Sequence, residues 1–439
     1  MSQKSKFKHT EIGMIPEDWE VKIVGDLVKI NECTINKNYN AADIEYIDTS
    51  SVDKGHLVET QKLKLKEAPS RAKRILKDND ILISTVRPNL KHFFFVEKSK
   101  NNLVGSTGFI VISSKKINPK FLYYYLTTNK YTDFLSSIAD AHTSTYPSFN
   151  PNVIENSFCP YPKEDEQKFI ANILSDLDSK IELNRQMNKT LEIIGQAIFK
   201  RWFIDFEFPN EKGKPYKLSG GEMVDSELGK IPNGWKMGRV GEFVKLERGL
   251  SYNGKGLSDS GIPMVNLGTI SHKKNFVYEG LKYYSGEYKE RNLVKSGDLV
   301  IANTDITQDR VVLGSPSIIP PDLGSEKILF THHIYAIRNS SPISNLFFFY
   351  LLKTDEYKGR VRGFATGTTV LALPEDTVLD LCFSIPVENV LKKFNTIVNK
   401  IKDKMFINII ENRGLSQIHA SLLPRLMSGK IRVSVEVKA

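Results

Sequence analysis

Apolar residues recur at alternating spacings of four and three in two long stretches of the chain, which is the pattern of a coiled-coil seam. Each stretch predicts a helix of about 40 residues, which is about 60 Å long at the rise of an α-helix. One helix follows Pro162 and the other follows Pro386. The two seams consist of Ile170, Leu174, Leu177, Ile181, Asn184, Asn188, Leu191, Gly195 and Ile198, and of Phe394, Val398, Ile401, Met405, Asn408, Asn412, Leu415, His419 and Leu422.

The two seams belong to a repeat that covers about half of the chain. A single constant offset carries every member of the first seam onto its counterpart in the second. Residues 10–19 and 226–235 share a glycine, a proline and a tryptophan at matching positions. Residues 77–84 and 295–302 also match, and both predict a polar turn followed by a short buried strand. The chain is therefore predicted to contain a duplicated domain and not a solenoid of short repeats.

The two predicted helices are expected to pack against each other. A helix of this length cannot bury its apolar stripe on one small domain, whereas two such helices can bury their apolar stripes against each other. A two-fold relation between the halves makes the helices antiparallel and places Asn184 beside Asn412 and Asn188 beside Asn408. Buried asparagines that satisfy one another fix the register of such a pair at some cost in stability. The alternative is that these asparagines are simply solvated.

These patterns predict an α+β protein with two mixed α/β globular domains, separated by two long antiparallel helices that form a rigid pair. The predicted segments are a globular domain at 1–160, a long helix at 161–208, a linker at 209–225, a globular domain at 226–385, a long helix at 386–430 and a tail at 431–439.

Charge and composition narrow the possible partners. The chain has 61 Lys and Arg against 51 Asp and Glu, a formal net charge of +10, which suits a polyanion such as nucleic acid or an acidic membrane surface. Every apolar run is far shorter than the stretch of about 20 residues that is needed to span a bilayer. No apolar signal segment follows the basic N-terminus. Cys33, Cys159 and Cys382 are too widely spaced for a disulfide framework or a metal knuckle. We expect a cytoplasmic protein with buried thiols.

Basic residues of the first half concentrate at positions 62–77 and in the loop after the strand predicted at 81–85. Lysines at 62, 64 and 66 alternate with leucines, which predicts a strand with one cationic face. Polar and cationic side chains in a proline-stiffened loop can reach phosphates and base edges, although a plain solvated surface is the alternative for each. The candidate DNA-binding residues of this half are Lys62, Lys64, Lys66, Arg71, Lys73, Arg74, Arg87, Asn89, Lys91 and His92.

The corresponding loop of the second half, at 303–310, follows a matching strand but carries different side chains, as expected of two domains that read different sequences. A hydroxyl-rich segment near the end of each half is either a phosphate-binding element or an ordinary turn. The candidates of the second half are Arg248, Lys255, His272, Lys273, Lys274, Asn303, Thr304, Gln308 and Arg310, and those of the two hydroxyl-rich segments are Thr143, Thr145, Tyr146, Thr366, Thr368 and Thr369.

Motifs for catalysis are incomplete. Residues 249–256 approach a phosphate-binding loop, but Gly256 stands where the Mg²⁺-binding hydroxyl is required. The adjacent His332 and His333 would face opposite sides of a strand, so they do not form a helical metal pair. The sequence lacks a dinucleotide fingerprint and the motif with which adenine methyltransferases hold a flipped base. We therefore expect no catalytic residue, no metal site and no cofactor bound by this chain.

In their order and duplication, these motifs resemble the specificity (S) subunit of type I restriction–modification systems, over essentially the whole chain. The second helix departs from the family pattern, because residues 388–393 lack the usual Glu-Gln pair. The matching segments are residues 15–19 and 231–235, which open target recognition domains in that family, the strands at 79–84 and 297–302, the helix start at 164–170, and residues 199–206 of the first helix.

The resemblance implies a noncatalytic subunit in which each target recognition domain reads one half of a split, asymmetric DNA site and the helices set the gap. Two modification subunits would dock on the helices and methylate adenine with S-adenosylmethionine. Two restriction subunits would add ATP- and Mg²⁺-dependent translocation and cleavage. The alternatives are an architectural or regulatory DNA-binding protein without enzyme partners, a coiled-coil scaffold that does not bind DNA, and an enzyme in its own right.

Overall fold

The computed structural model describes residues 6–99, 102–142, 147–227, 229–271, 276–305, 311–367 and 370–433. The chain forms two compact units. Unit 1 contains Met1–Glu182 and Arg413–Ala439, and unit 2 contains Leu183–Asn412. This division differs from the predicted one, because each long helix is shared between the units instead of standing apart from the globular domains.

Unit 1 contains most of the first repeat. Its strands are β1 (Phe7–Thr10), β2 (Gly13–Pro16), β3 (Glu20–Ile23), β4 (Val28–Ile30), β5 (Asp43–Ile47), β6 (Val52–Asp53), β7 (His56–Leu57), β8 (Gln61–Lys64), β9 (Ala72–Ile75), β10 (Ile81–Ser84), β11 (Phe93–Phe95), β12 (Leu103–Ser106), β13 (Phe109–Ser114) and β14 (Phe158–Tyr161). The helices that begin in it are α1 (Pro119–Leu126), α2 (Asn129–His142), α3 (Asn152–Glu155) and α4 (Glu164–Phe199). A π-helical turn at Lys200–Ile204 ends the first long helix.

Unit 2 repeats this order of elements. Its strands are β15 (Met223–Ser226), β16 (Gly229–Pro232), β17 (Lys236–Arg239), β18 (Val244–Arg248), β19 (Leu257–Ser258), β20 (Ile262–Val265), β21 (Lys282–Tyr284), β22 (Leu293–Val294), β23 (Leu299–Ala302), β24 (Thr304–Asp305), β25 (Pro316–Ile318), β26 (Ile328–Phe330), β27 (Ile334–Asn339), β28 (Leu371–Ala372) and β29 (Cys382–Ile385). The helices that begin in it are α5 (Asn345–Leu351), α6 (Asp355–Phe364), α7 (Glu375–Leu379) and α8 (Glu388–Met427).

The sheets of the two units share one topology, to which unit 2 adds the edge strand β19. In unit 1 the strand orders are β11-β10-β13-β4 and β8-β5-β12-β9. In unit 2 they are β25-β23-β27-β18 and β19-β21-β20-β26-β22. Within the second sheet of each unit, one pair of strands is parallel, β5 with β12 and β20 with β26. The predicted mixed α/β fold and internal repeat are thus confirmed.

A side-chain turn explains why the same strand motif recurs in both repeats. Asp80 accepts a hydrogen bond from the Lys77 N–H at 2.7 Å, and Asp298 accepts one from the Lys295 N–H at 3.0 Å. The residue before each aspartate has a positive φ, 66° at Asn79 and 84° at Gly297, which asparagine and glycine tolerate best. The turn delivers the chain into the fully buried strands β10 and β23.

The helices pack antiparallel within unit 2, as predicted. Near one end of this contact, the Asn184 amide donates to the Asn412 Oδ1 at 2.9 Å. One turn along α4, the Asn408 amide donates to the Asn188 Oδ1 at 2.8 Å. Asn184 and Asn408 are completely buried, so the alternative of solvated asparagines is wrong for these two.

Aromatic residues form the core at the other end of the helix contact in unit 2. The Phe394 ring of α8 lies 5.8 Å from the Phe199 ring of α4 and 4.8 Å from the Phe203 ring, measured between centroids. Phe347 of α5 joins them, with its ring 4.9 Å from that of Phe203. The long helices therefore share one hydrophobic core with the globular part of unit 2.

The segment predicted as a linker at 209–225 is packed and is shorter than expected. The Phe208 ring stacks on Tyr216 at 4.5 Å and on Trp235 at 5.2 Å. The second repeat already begins with β15, slightly earlier than predicted, because β15 pairs with β16 in the same register as β1 with β2.

Candidate nucleic-acid interface

The loop after β10 and residues 147–149 lie side by side in unit 1. Val86 forms a β-bridge with Ser148. The Arg87 N–H donates to the Pro147 carbonyl at 2.8 Å, and the Phe149 N–H donates to the Thr85 carbonyl at 3.1 Å. The loop after β10 therefore lies beside the segment that directly follows the hydroxyl-rich candidates of this half in the sequence.

Unit 2 contains the same juxtaposition at equivalent positions. Strand β24 pairs with β28, so that Thr304 lies opposite Ala372. The Leu373 N–H donates to the Asn303 carbonyl at 2.8 Å, as the Phe149 N–H does to Thr85 in unit 1. The backbone frame is conserved between the repeats, whereas the side chains that it carries differ. We call this frame the loop pair of each unit: residues 85–92 with 147–149 in unit 1, and residues 303–305 with 366–367 and 370–373 in unit 2.

The loop pair of unit 1 exposes cationic and amide side chains. Arg87 and Lys91 have positive φ angles of 49° and 58° on either side of the short helical turn Pro88–Leu90. Arg87 and Asn89 are exposed. The Lys91 ammonium donates to Asn129 at 2.7 Å, and His92 contacts the Val52 carbonyl through its Nδ1, so these two side chains also hold the loop in place.

The predicted cationic strand is only partly correct. Strand β8 ends at Lys64, and Lys66 lies in a short helical turn at Leu65–Glu67, so Lys66 is not on the strand. Lys62 lies opposite Glu45 and Lys64 opposite Asp43 on the neighbouring strand. Cross-strand pairs of opposite charge attract each other, so the face is mixed in charge and not uniformly cationic.

The cations that follow β8 have different environments. Arg71 pairs with Asp48 at 2.6 Å, and Lys73 is exposed. Arg74 is half-buried, and its Nε has no hydrogen-bond partner among the described residues. Burial lowers the pKa of the Arg74 guanidinium. Of these three, Lys73 is the most accessible to a polyanion.

The candidates of unit 2 divide into exposed and buried side chains. Arg248, Lys255 and Thr366 are exposed. The Asn303 side chain is completely buried and donates to the His332 carbonyl at 3.0 Å, so it supports the loop pair from within. Thr304 is half-buried, and its hydroxyl lies 2.9 Å from the His333 Nδ1.

Several predicted residues lie outside the part of the chain that the structure describes. They are Thr143, Thr145, Tyr146, His272, Lys273, Lys274, Gln308, Arg310, Thr368 and Thr369.

Sequence reasoning missed a cluster beside the loop pair of unit 2. His332 and His333 occupy a turn before β27, with ring centroids 3.9 Å apart, so the expectation that they face opposite sides is wrong. The Tyr252 ring lies 6.5 Å from that of His332, and the Lys282 ammonium donates to the Tyr252 hydroxyl at 3.1 Å. Spacing along the chain gives no signal for this cluster, because it joins three separate segments.

Among the described residues, no group of three or more His, Cys, Asp or Glu side chains is arranged to hold a metal ion. Within the same ranges, no helix has the length and apolar character needed to cross a membrane. Of the three cysteines, Cys159 is buried, whereas Cys33 and Cys382 are half-buried.

Known proteins are similar to this chain in sequence and in fold. The family model of the type I restriction modification DNA specificity domain matches residues 16–193. The type I restriction enzyme MjaIX specificity subunit of Methanocaldococcus jannaschii is 29% identical, over 98% of this chain and 97% of that protein. The HindI specificity subunit of Haemophilus influenzae is 24% identical, over 94% of this chain and 100% of that protein. The chain is thus similar to type I restriction enzyme specificity subunits over nearly its whole length.

A solved structure is similar to this chain in its fold. The S subunit of a type I restriction–modification system from M. genitalium has a TM-score of 0.54 and 14% identity, and it covers 97% of this chain and 99% of that one. The resemblance predicted from the motifs, to the specificity subunit of type I restriction–modification systems, is confirmed, and the architectural alternative is not favoured.

Proposed function

We propose that each unit of this specificity subunit reads one half of a bipartite, asymmetric DNA site and that the paired helices set the gap between the halves. The observation that carries the proposal is the loop pair. Both units hold it with the same backbone hydrogen bonds, yet Val86 and Arg87 of unit 1 correspond to Thr304 and Asp305 of unit 2. A conserved frame with different side chains is what two readers of different sequences require, because base edges are read by side chains.

Methylation sequencing of host DNA tests this proposal, with the subunit expressed beside its modification partners. Exchanging residues 1–160 for those of another specificity subunit should change one half of the methylated motif and leave the other half intact. A change in both halves would refute independent readers. An unsplit palindromic motif in the unmodified system would refute the bipartite site itself.

The register of the helices gives a second test of the spacer role. Insertion of one heptad after Asn188 and another after Asn412 lengthens both helices while keeping the seam in phase. The gap in the methylated motif should lengthen, and both half-motifs should remain readable. An unchanged gap would show that the helices do not act as the spacer.

We also infer that the outer faces of the helices dock two copies of the modification subunit. Ile173, Leu183 and Ile194 of α4 are exposed, and the residues that the repeat places at the equivalent positions of α8, Ile397, Ile407 and Ile418, are exposed as well. Leu183 is 53% exposed and Ile407 is 56% exposed, so both side chains are accessible to a partner. The same apolar positions on both helices fit two copies of one partner.

The docking inference predicts equal contributions from the two helices. Leu183→Gln and Ile407→Gln should each weaken co-purification of the modification subunit to the same extent, and the double variant should abolish it. Thr190→Gln, which changes an exposed polar side chain of α4, is the matched control and should leave co-purification unchanged. Unequal losses would contradict two equivalent sites, and retention of both partners by the double variant would refute the surface.

The cofactors of the reaction belong to the partners in this proposal. The modification subunits would use S-adenosylmethionine to methylate adenine, and two restriction subunits would use ATP and Mg²⁺ for translocation and cleavage. This chain would supply sequence recognition and assembly surfaces only. Binding of S-adenosylmethionine to the isolated specificity subunit, measured by calorimetry, would contradict this division of labour.

A further inference from the structure

Two histidines join the loop pair of unit 2 to a group of cations. The His333 Nδ1 lies 2.9 Å from the Thr304 hydroxyl, which ties its ring to β24. The His332 ring packs against that of His333, and both side chains remain partly exposed. Tyr252 extends the group to Lys282. We call this group the histidine cluster, and it consists of Arg248, Tyr252, Lys282, Thr304, His332 and His333.

Arg248 is held at the edge of the cluster by a neutral residue. Its guanidinium donates to the Tyr335 hydroxyl at 3.3 Å, and its Cζ lies 5.6 Å from the centre of the Tyr335 ring. The same hydroxyl donates to the Leu373 carbonyl at 3.0 Å, so the guanidinium is anchored to the second strand of the loop pair. Its position is therefore set by the same frame that positions the histidines.

The cations of the cluster lack carboxylate partners in the described part of the chain. Neither Arg248 nor Lys282 forms an ion pair there, and both are exposed. Arg338 provides a contrast, because it lies within ion-pairing distance of Glu247 and Asp298. Exposed cations without counter-charges of their own chain are available to a polyanion.

The histidines are suited to base edges. Burial lowers the pKa of His333, and the adjacent imidazole and the two neighbouring cations lower it further. A neutral imidazole has one donor and one acceptor nitrogen, so it can distinguish donor from acceptor groups on a base edge. The hydroxyl of Thr304 fixes the ring from one side and leaves Nε2 as the second polar atom.

The described residues of unit 1 form no equivalent of this cluster. The repeat carries Arg248 onto Glu32, Thr304 onto Val86, and the two histidines onto Thr107 and Gly108. The cluster is therefore specific to unit 2, at the place where the two loop pairs would need to differ.

We propose that His332 and His333 are specificity-determining residues that contact base edges in the half-site read by unit 2, while Arg248 and Lys282 bind the adjacent phosphates. This proposal rests on the proposed function, because it assigns side chains to one of the two readers.

Methylation sequencing separates the two proposals. The experiment uses the whole complex with His332→Gln, His333→Gln or Arg248→Gln in the specificity subunit. Either histidine variant should relax the second half of the motif and raise methylation of non-cognate half-sites about tenfold or more, since a base contact discriminates by that order. Arg248→Gln should lower methylation of all sites without changing the motif. His56→Gln, a half-buried histidine of unit 1, is the control and should leave the motif unchanged.

Each outcome decides one proposal. If the unmodified complex methylates no bipartite motif, the proposed function fails. If its motif is bipartite and both histidine variants leave the second half unchanged, only the assignment of the histidines fails. For a variant that methylates nothing, binding is measured on duplexes with the cognate sequence, or with one half randomised. The assignment is supported if the variant binds the cognate duplex more weakly than the wild-type protein does, but binds the duplex with a randomised second half as tightly. Equal losses of affinity on every duplex overturn it.

Discussion

Replacing Asn408 with leucine tests whether the buried asparagines of the helix pair sacrifice stability for register. The Asn408 side chain is completely buried, its amide donates to Asn188, and its Oδ1 has no donor among the described residues. A buried polar group without a partner costs about 1–3 kcal/mol. Leucine removes that carbonyl and suits the seam, so we expect Asn408→Leu to raise the free energy of unfolding of unit 2 by about 1–2 kcal/mol.

Replacing Asn188, which accepts the hydrogen bond of Asn408, should instead lower the free energy of unfolding. Asn188 is half-buried, and its amide donates to the Met405 carbonyl at 3.2 Å, so it tolerates the loss of Asn408. Asn188→Leu instead removes the acceptor of the buried Asn408 amide and leaves both polar atoms of that side chain unpaired. We expect it to lower the free energy of unfolding by about 1–3 kcal/mol, and the double variant to recover most of that loss.

Hydrogen exchange measured by mass spectrometry is the suitable assay, because two units need not unfold in one transition. Peptides from 183–199 and 388–412 report the helix pair of unit 2. Asn184 and Asn412 offer a replicate related by the repeat, in which Asn184→Leu should stabilise less because the Asn184 amide also binds Glu411. Losses of equal size for Asn408→Leu and Asn188→Leu would refute the reasoning.

Two further predictions concern glycines of the long helices and the ion pair between Asp18 and Arg432. A Cβ at Gly195 would clash with the Tyr350 hydroxyl, so Gly195→Ala should destabilise unit 2 by about 1–3 kcal/mol, whereas a Cβ at Gly414 meets no atom of the described residues within 4 Å, so Gly414→Ala should stabilise unit 1 by about 1 kcal/mol. Thermal denaturation of both variants checks this contrast, and destabilisation by both would contradict it. The Arg432 guanidinium lowers the pKa of Asp18, to which it donates two hydrogen bonds, so their pairing stabilises unit 1 above the unfolded pKa of Asp18 and is lost as pH falls through the lower folded value. Urea denaturation should show that Asp18→Asn, which keeps the pairing of Arg432 with Glu166, costs about 1 kcal/mol at pH 6 and less at pH 3, and a cost that grows on acidification would be inconsistent with the pairing of Asp18.

The candidate interface could be predicted from the sequence in outline only. Residue types and the repeat identified the loops after β10 and β23 as candidates, and the structure places the first beside residues 147–149 and the second beside Leu371 and Ala372. The sequence did not reveal that Lys62 and Lys64 lie opposite carboxylates, nor that Asn303 is buried. These facts depend on strand partners that are distant in the chain, and composition carries no information about them.

The sequence by itself determined the duplicated organisation, the extents of the long helices and the register of their asparagines. Local periodicity and a two-fold repeat suffice for these features. Each seam has its two asparagines at adjacent positions, so only one antiparallel register pairs all four of them. Only the tertiary structure decided which loops meet and which side chains gather around them. The pairing of Thr304 with Ala372 and the contact between His332 and Tyr252 depend on backbone hydrogen bonds between segments that are distant in sequence, which form only when the whole unit folds.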